Sequence, residues 1–166
     1  MPPSTTSKPR GSGRSHGDAV YVRALVLSGY GINCEAETRL AFERAGAEAS
    51  VIHLSDLVET PAFLHDYHIL AVPGGFSFGD HVGSGKSLAN RLRHGLGDAL
   101  HDFVREGKLV IGICNGFQVL VKLGILPLFN DDFEQEVTLT HNDSGRFEDR
   151  WVHLATDPTT VCVWLR

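Results

Sequence analysis

Along the first two thirds of the chain, apolar residues come in short runs that end in glycine. "VYVRALVLS" (20–28) is rich in β-formers and stops at Gly29 and Gly31. "EAETRLAFERAG" (35–46) then sets Ala36, Leu40, Phe42 and Ala45 near one helical face. The order is strand, glycine turn, helix. Asn33 is the expected N-cap, Glu35 and Glu37 suit the positive end of the helix dipole, and Gly46 is a natural stop. "EASVIHL" (48–54) and "YHILAVP" (67–73) read as two more buried strands, with a short helix around "SDLVETPAFL" that Pro61 interrupts. A glycine-rich loop (73–85), a helix near 88–106, the strand "KLVIGI" and the helix "NGFQVLVKLG" complete this part.

Strands alternating with helices predict an α/β fold: a parallel sheet covered on both faces, with right-handed crossovers and a ligand crevice at the carboxyl ends of the strands. Beyond Pro127 the pattern changes. "FEQEVTLTH" and "GRFEDRWVHLA" read as strands without intervening helices, Cys162 falls in another expected strand, and the sequence ends at "VCVWLR" with no closing helix. The expected organisation is a disordered tail over 1–19 and one domain over 20–166 whose C-terminal end is incomplete.

Length adds little: 166 residues suit one core and are short for two. Charge changes the picture more. A formal net charge of -5 supplies no basic surface for phosphates, so a nucleic-acid partner is disfavoured and a small molecule or protein is favoured. Three cysteines, Cys34, Cys114 and Cys162, cannot all pair and form no CxxC spacing, which fits a reducing, cytoplasmic setting. No run has the length of a signal-peptide core or a membrane span.

Candidate chemistry concentrates in "GICNGFQ" (112–118). A buried strand, a tight turn eased by Gly112 and Gly116, and a helix starting after Cys114 have the form of a nucleophile elbow. A helix N-terminus stabilises negative charge and offers free backbone N–H groups to a developing oxyanion. The competing reading is a structural cysteine packed inside, a common fate for this residue type. "AVPGGFSFGD" (71–80) is a second strand-end turn, whose paired glycines allow backbone to approach a substrate. "GSGKS" (83–87) invites a phosphate-loop reading around Lys86. The spacing fails, since GxxxxGK[ST] needs glycine where Asp80 stands.

In this order, "GYGINCEAET", "PGGFSFGD", "GICNGFQ" and "NDSGRFEDRWV" resemble the glutaminase subunit of phosphoribosylformylglycinamidine synthase, a class I glutamine amidotransferase of purine biosynthesis. The resemblance runs from about Val22 to about Leu154. It implies a three-layer, doubly wound, mostly parallel α/β fold of flavodoxin-like type, with Cys114 attacking glutamine to form a thioester and release ammonia. It further implies an oxyanion hole from Gly75 and the N–H of Asn115, and a substrate contact from Gln118; Asn33 and Glu35 lie in the family's first loop without an assigned role. The implied partners are glutamine and a synthetase subunit, with or without a small accessory subunit. ATP and magnesium belong to that partner, and no cofactor or metal is implied for this chain.

One departure concerns the base, which the family supplies as His-x-Glu. None of the nine histidines here has Glu two residues on. His141 has Asp143 at that spacing, and a histidine in a polar turn is its plainer reading. A cysteine amidase also needs a proton donor for the leaving ammonia, so the expectation is a chain inactive by itself. Two rival functions stay open: a stand-alone elbow-cysteine hydrolase or glyoxalase-like protein, and a non-catalytic module that docks on a synthetase.

Overall fold

The computed structural model describes residues 21–128 and 132–165; the expected tail over 1–19 lies outside them. Four parallel strands, β1 (Arg23–Ser28), β2 (Glu48–His53), β3 (Ile69–Val72) and β4 (Leu109–Gly112), form one sheet in the order β2-β1-β3-β4. The connections are α1 (Glu35–Arg44), α2 (Leu54–Glu59) with a 3-10 turn over Pro61–Asp66, and α3 (Lys86–Arg105); α4 (Asn115–Leu123) follows β4. The chain leaves β1 in one direction and crosses back over it to β3. That reversal puts a crevice at the carboxyl ends of the central strands.

Register explains the core. Leu25 pairs with Leu70, and Leu70 with Val110, so one face of the sheet carries a continuous apolar row. Against it α3 lays Leu88, Leu92, Leu96, Leu100 and Phe103, spaced by three or four positions, each 2% exposed or less. Val119, Leu120 and Leu123 of α4 close the same cluster. Each such side chain contributes about 1.5–3 kcal/mol by leaving water, so this face anchors the fold.

The opposite face is thinner. The right-handed crossover puts α1 there, and α1 buries only Thr38. Leu40, expected on an inward face, is 45% exposed. The expectation of a buried strand over 48–54 also fails in part: the strand forms, but no residue of β2 is buried. As an edge strand beside β1 alone, β2 has a partner on one side, and of its apolar residues Ile52 packs, partly buried, against the main core. "YHILAVP" is the buried strand expected, since β3 is central and all four of its residues are buried.

The largest correction lies beyond Pro127. Among the described residues, neither 133–141, nor 145–155, nor the segment around Cys162 forms a strand. Alternation of apolar and polar residues makes a strand possible, but a neighbouring backbone must complete it. No further strand pairs with β4 among the described residues; there the Trp164 Nε1–H donates to the Val110 carbonyl at 3.1 Å.

Candidate active site

Three strand ends meet around one cysteine. β4 runs into Cys114, which caps α4 with φ 53° and ψ −112°, a conformation unfavourable for a residue with a Cβ. Such a backbone costs roughly 1–3 kcal/mol and persists only where neighbours enforce it. Here they do: Ile113 N–H donates to the Val72 carbonyl at 3.1 Å, and Gly116 N–H to Ile113 at 2.9 Å. Gly116 has no room for a side chain, because a Cβ there would run into the Val72 carbonyl oxygen. The tight turn is thereby pressed onto β3. Cys114 is exposed, so the competing reading of a packed structural cysteine does not describe it.

The loop after β3 sits directly against the cysteine. A Cβ placed on Gly74 would lie 3.4 Å from Cys114 Cβ and 3.7 Å from Cys34 Sγ, so both thiols flank one glycine. Gly75, at φ 148°, forms an antiparallel bridge with Ile32. The loop after β1 is bound to the same segment: Asn33 N–H donates to Gly74 at 3.2 Å, and Phe76 N–H to Gly31 at 2.9 Å. Tyr30 stacks on Phe78 at 4.6 Å and shares a 2.8 Å hydrogen bond with Ser55. Tyr30, Phe78, Asp80 and Cys114 all have φ between 52° and 53°, so left-handed backbone gathers at these strand ends.

The expected N-cap of α1 is displaced by one residue. Cys34 occupies it, and the Asn33 side chain instead accepts the Cys34 thiol proton at 3.3 Å. The Ile32 bridge holds Asn33 in the loop, too early to cap. Glu35 lies in the first turn of α1, where its Oε2 is buried with no hydrogen-bond partner. Ser77 Oγ is likewise buried and unpartnered.

Asn115 and Gln118 come together on the first turn of α4. Asn115 is 2% exposed; its Oδ1 accepts from Ser77 N–H at 3.1 Å, and its Nδ2 donates to Asp80 Oδ1 at 3.2 Å and to Gln118 Oε1 at 3.0 Å. Asp80 Oδ1 also accepts from Gly85 N–H at 3.2 Å. Gln118 lines a cavity of about 510 Å³ with Asp80, Lys86, Lys122, Thr140 and His141. Among the described residues, the N–H groups of Gly75 and Asn115 have no hydrogen-bond partner.

His141 and Asp143 are exposed, and no hydrogen bond or ion pair joins them among the described residues. Lys86 is the first residue of α3 after Gly85, and the segment before it, 77–80, is a distorted 3-10 turn held by Asp80 instead of a ring of backbone N–H groups. Sequence reasoning names Cys114, Gly75, Asn115 and Gln118 and does not single out Asp80 or Ser77, which the structure joins to Asn115. The available signal for Asp80 is the lone acidic residue in the glycine-rich "GGFSFGD". Among the described residues no helix is long and apolar enough to cross a membrane, and no group of three or more His, Cys, Asp or Glu is placed to hold a metal.

Comparison with known proteins fits this geometry. The chain is 45% identical to the phosphoribosylformylglycinamidine synthase subunit PurQ of Methanococcus maripaludis over 89% of its length and 54% of that protein's. Against the same subunit from Dehalococcoides mccartyi it is 49% identical, over 86% of this chain and 56% of the relative. A solved structure of PurLQS from Thermotoga maritima matches with a TM-score of 0.61 and 34% identity, covering 80% of this chain and 54% of that one. The chain thus spans about half the length of the curated relatives it matches. The model of the CobB/CobQ-like glutamine amidotransferase domain matches residues 21–166. With its strained cysteine between β4 and α4, the chain belongs to the CobB/CobQ-like glutamine amidotransferase domain family.

Proposed function

We propose that this chain carries the nucleophile of a glutaminase that feeds ammonia to a phosphoribosylformylglycinamidine synthase. The observation that carries the reading is Cys114, exposed and held at φ 53° between β4 and α4, against Gly74. The Cys114 sulfur attacks the carboxamide carbon of glutamine, and the carbonyl oxygen takes up the negative charge of the tetrahedral intermediate. The N–H groups of Gly75 and Asn115 receive that oxygen, the arrangement that stabilises charge where it develops. Collapse breaks the C–N bond and releases ammonia, which requires one added proton; water then hydrolyses the thioester to glutamate and restores the thiol. Gln118, beside the 510 Å³ cavity, contacts the amino-acid end of the substrate.

The proton must come from a positioned acid-base group. Within residues 1–166 no histidine has the family's His-x-Glu spacing, and His141 stands exposed without its Asp143. These residues therefore support thioester formation better than turnover. The relatives named as PurQ, and the PurLQS assembly, support a synthetase as the partner that consumes the ammonia. The test is Cys114→Ser in the assembly with the synthetase. Glutamine-dependent synthesis is expected to fall by at least a thousandfold, while synthesis from added ammonium persists. Loss of both would contradict the reading.

A further inference from the structure

We propose that Asn115 is the positioning residue that decides which atom of Gln118 faces the substrate, with Asp80 as its anchor; this rests on the reading of Cys114 as a glutaminase nucleophile. The network allows one assignment. A backbone N–H only donates, so the atom 3.1 Å from Ser77 N is Asn115 Oδ1. A carboxylate only accepts, so the atom 3.2 Å from Asp80 Oδ1 is Asn115 Nδ2. The same Nδ2 lies 3.0 Å from Gln118, whose facing atom must accept and is therefore Oε1.

Gln118 Nε2 is left as the group offered to the cavity. Two N–H donors there suit the oxygens of an amino-acid carboxylate; Lys86 and Lys122, the latter donating to Thr138 Oγ1 at 2.8 Å, line the same cavity with Asp80, whose Oδ1 is taken up by Asn115 and Gly85. Asn115 cannot turn over, because doing so would oppose Ser77 N–H with an N–H group and Asp80 with a carbonyl oxygen, inside a site 2% exposed. Asp80 is fixed in turn by Gly85 N–H at the start of α3, and a Cβ on Gly85 would reach within 2.8 Å of Val119 N. The chain of constraint runs from the ends of β3 and α3, through Asn115, to Gln118. It lets the element that holds the nucleophile also set the polarity of the substrate contact.

Two measurements test this. Side-chain amide exchange by NMR on the chain should show Asn115 Nδ2 protons protected and Gln118 Nε2 protons exchanging freely; in Asn115→Asp the Gln118 Nε2 protons should become protected, because they turn toward the new carboxylate. Protection of Gln118 Nε2 in the unaltered chain would overturn the assignment. The second measurement is alkylation of Cys114 by a diazo-ketone analogue of glutamine, followed by mass spectrometry, with iodoacetamide labelling as the fold control. Asn115→Asp should raise the concentration for half-maximal labelling about tenfold, with a smaller change in the maximal rate. In the Gln118→Ala background the same substitution should leave that concentration unchanged, since Asn115 acts through Gln118. Additive effects in the two backgrounds would assign Asn115 a purely structural role and overturn the proposal. Labelling by iodoacetamide but not by the diazo-ketone in the unaltered chain would instead defeat the glutaminase reading, and the substrate part of this inference with it.

Discussion

Residues 23–125 and residues 132–165 are both rich in apolar side chains, and they use them in opposite ways. In the first region Leu25, Leu27, Leu92 and Phe103 are 1% exposed or less, and every strand has a partner. In the second, Phe147, Trp151 and Leu154 are 91%, 103% and 89% exposed, and among the described residues none of the three strand-like stretches pairs. Phe133 is the exception, packed at 3.8 Å on His101 of α3. The difference lies in what each stretch has to pair with. Hydrophobic pattern becomes structure where a second backbone and a facing helix are present, and the strained turn at Cys114 forms on the side where they are.

The comparison is sharpest in stability. Phe103→Ala removes a fully buried ring facing the sheet, and a loss of about 3–5 kcal/mol is expected in denaturant unfolding. Trp151→Ala, of equal or greater bulk, should change the midpoint by less than about 0.5 kcal/mol. Similar losses at both positions would erase the distinction. A smaller effect is expected where the two central loops are tied. Tyr30→Phe removes the 2.8 Å bond to Ser55 while keeping the stack on Phe78, and should cost about 0.5–1.5 kcal/mol in the same experiment. A neutral result would show that stacking alone holds the first loop.

The smallest expected effect is electrostatic and distant from the site. Lys108 Nζ lies 2.8 Å from Glu106 Oε2, and this hydrogen bond holds the Glu106 carboxyl below its usual range, against a smaller opposing effect of partial desolvation and with further help from the charges of Lys108 and His65. A depressed folded-state value means that the pair stabilises above the ordinary carboxylate range, with the contribution lost as pH falls through the folded value. Lys108→Met should therefore lower the melting temperature slightly at pH 7, and the gap should close below about pH 4. A gap that persists in acid would assign the effect to the Lys108 ammonium, which lies over the Phe103 ring at 5.1 Å.

Much of the first region was legible because its signals are local. Glycine-terminated apolar runs located β1, β3, β4 and α4, and "GICNGFQ" located the elbow, since a strand, a tight turn and a helix leave their marks within a dozen residues. What the sequence hid is long-range. Ser77 and Asn115 are separated by 38 positions and Asp80 and Asn115 by 35, so neither bond leaves a spacing to read. The same holds for Cys34, whose approach to Gly74 depends on the Ile32 bridge. The exposure of β2 follows from its place at the sheet edge, which its composition does not record. The strand-like stretches after Pro127 failed for the complementary reason: the local signal was present and the partner was not.

Cys34 and Cys114 flank the same glycine, both at helix N-caps and both exposed, yet of the two only Cys114 has the left-handed backbone, φ 53° against −111° for Cys34. Labelling the chain with a diazo-ketone analogue of glutamine and counting adducts by peptide mass spectrometry therefore tests the central claim most directly. A single adduct on Cys114, suppressed by excess glutamine, with Cys34 and Cys162 unmodified, is the expected result. Equal labelling of Cys34 and Cys114, indifferent to glutamine, would mean that the elbow confers no selective reactivity and would contradict the account.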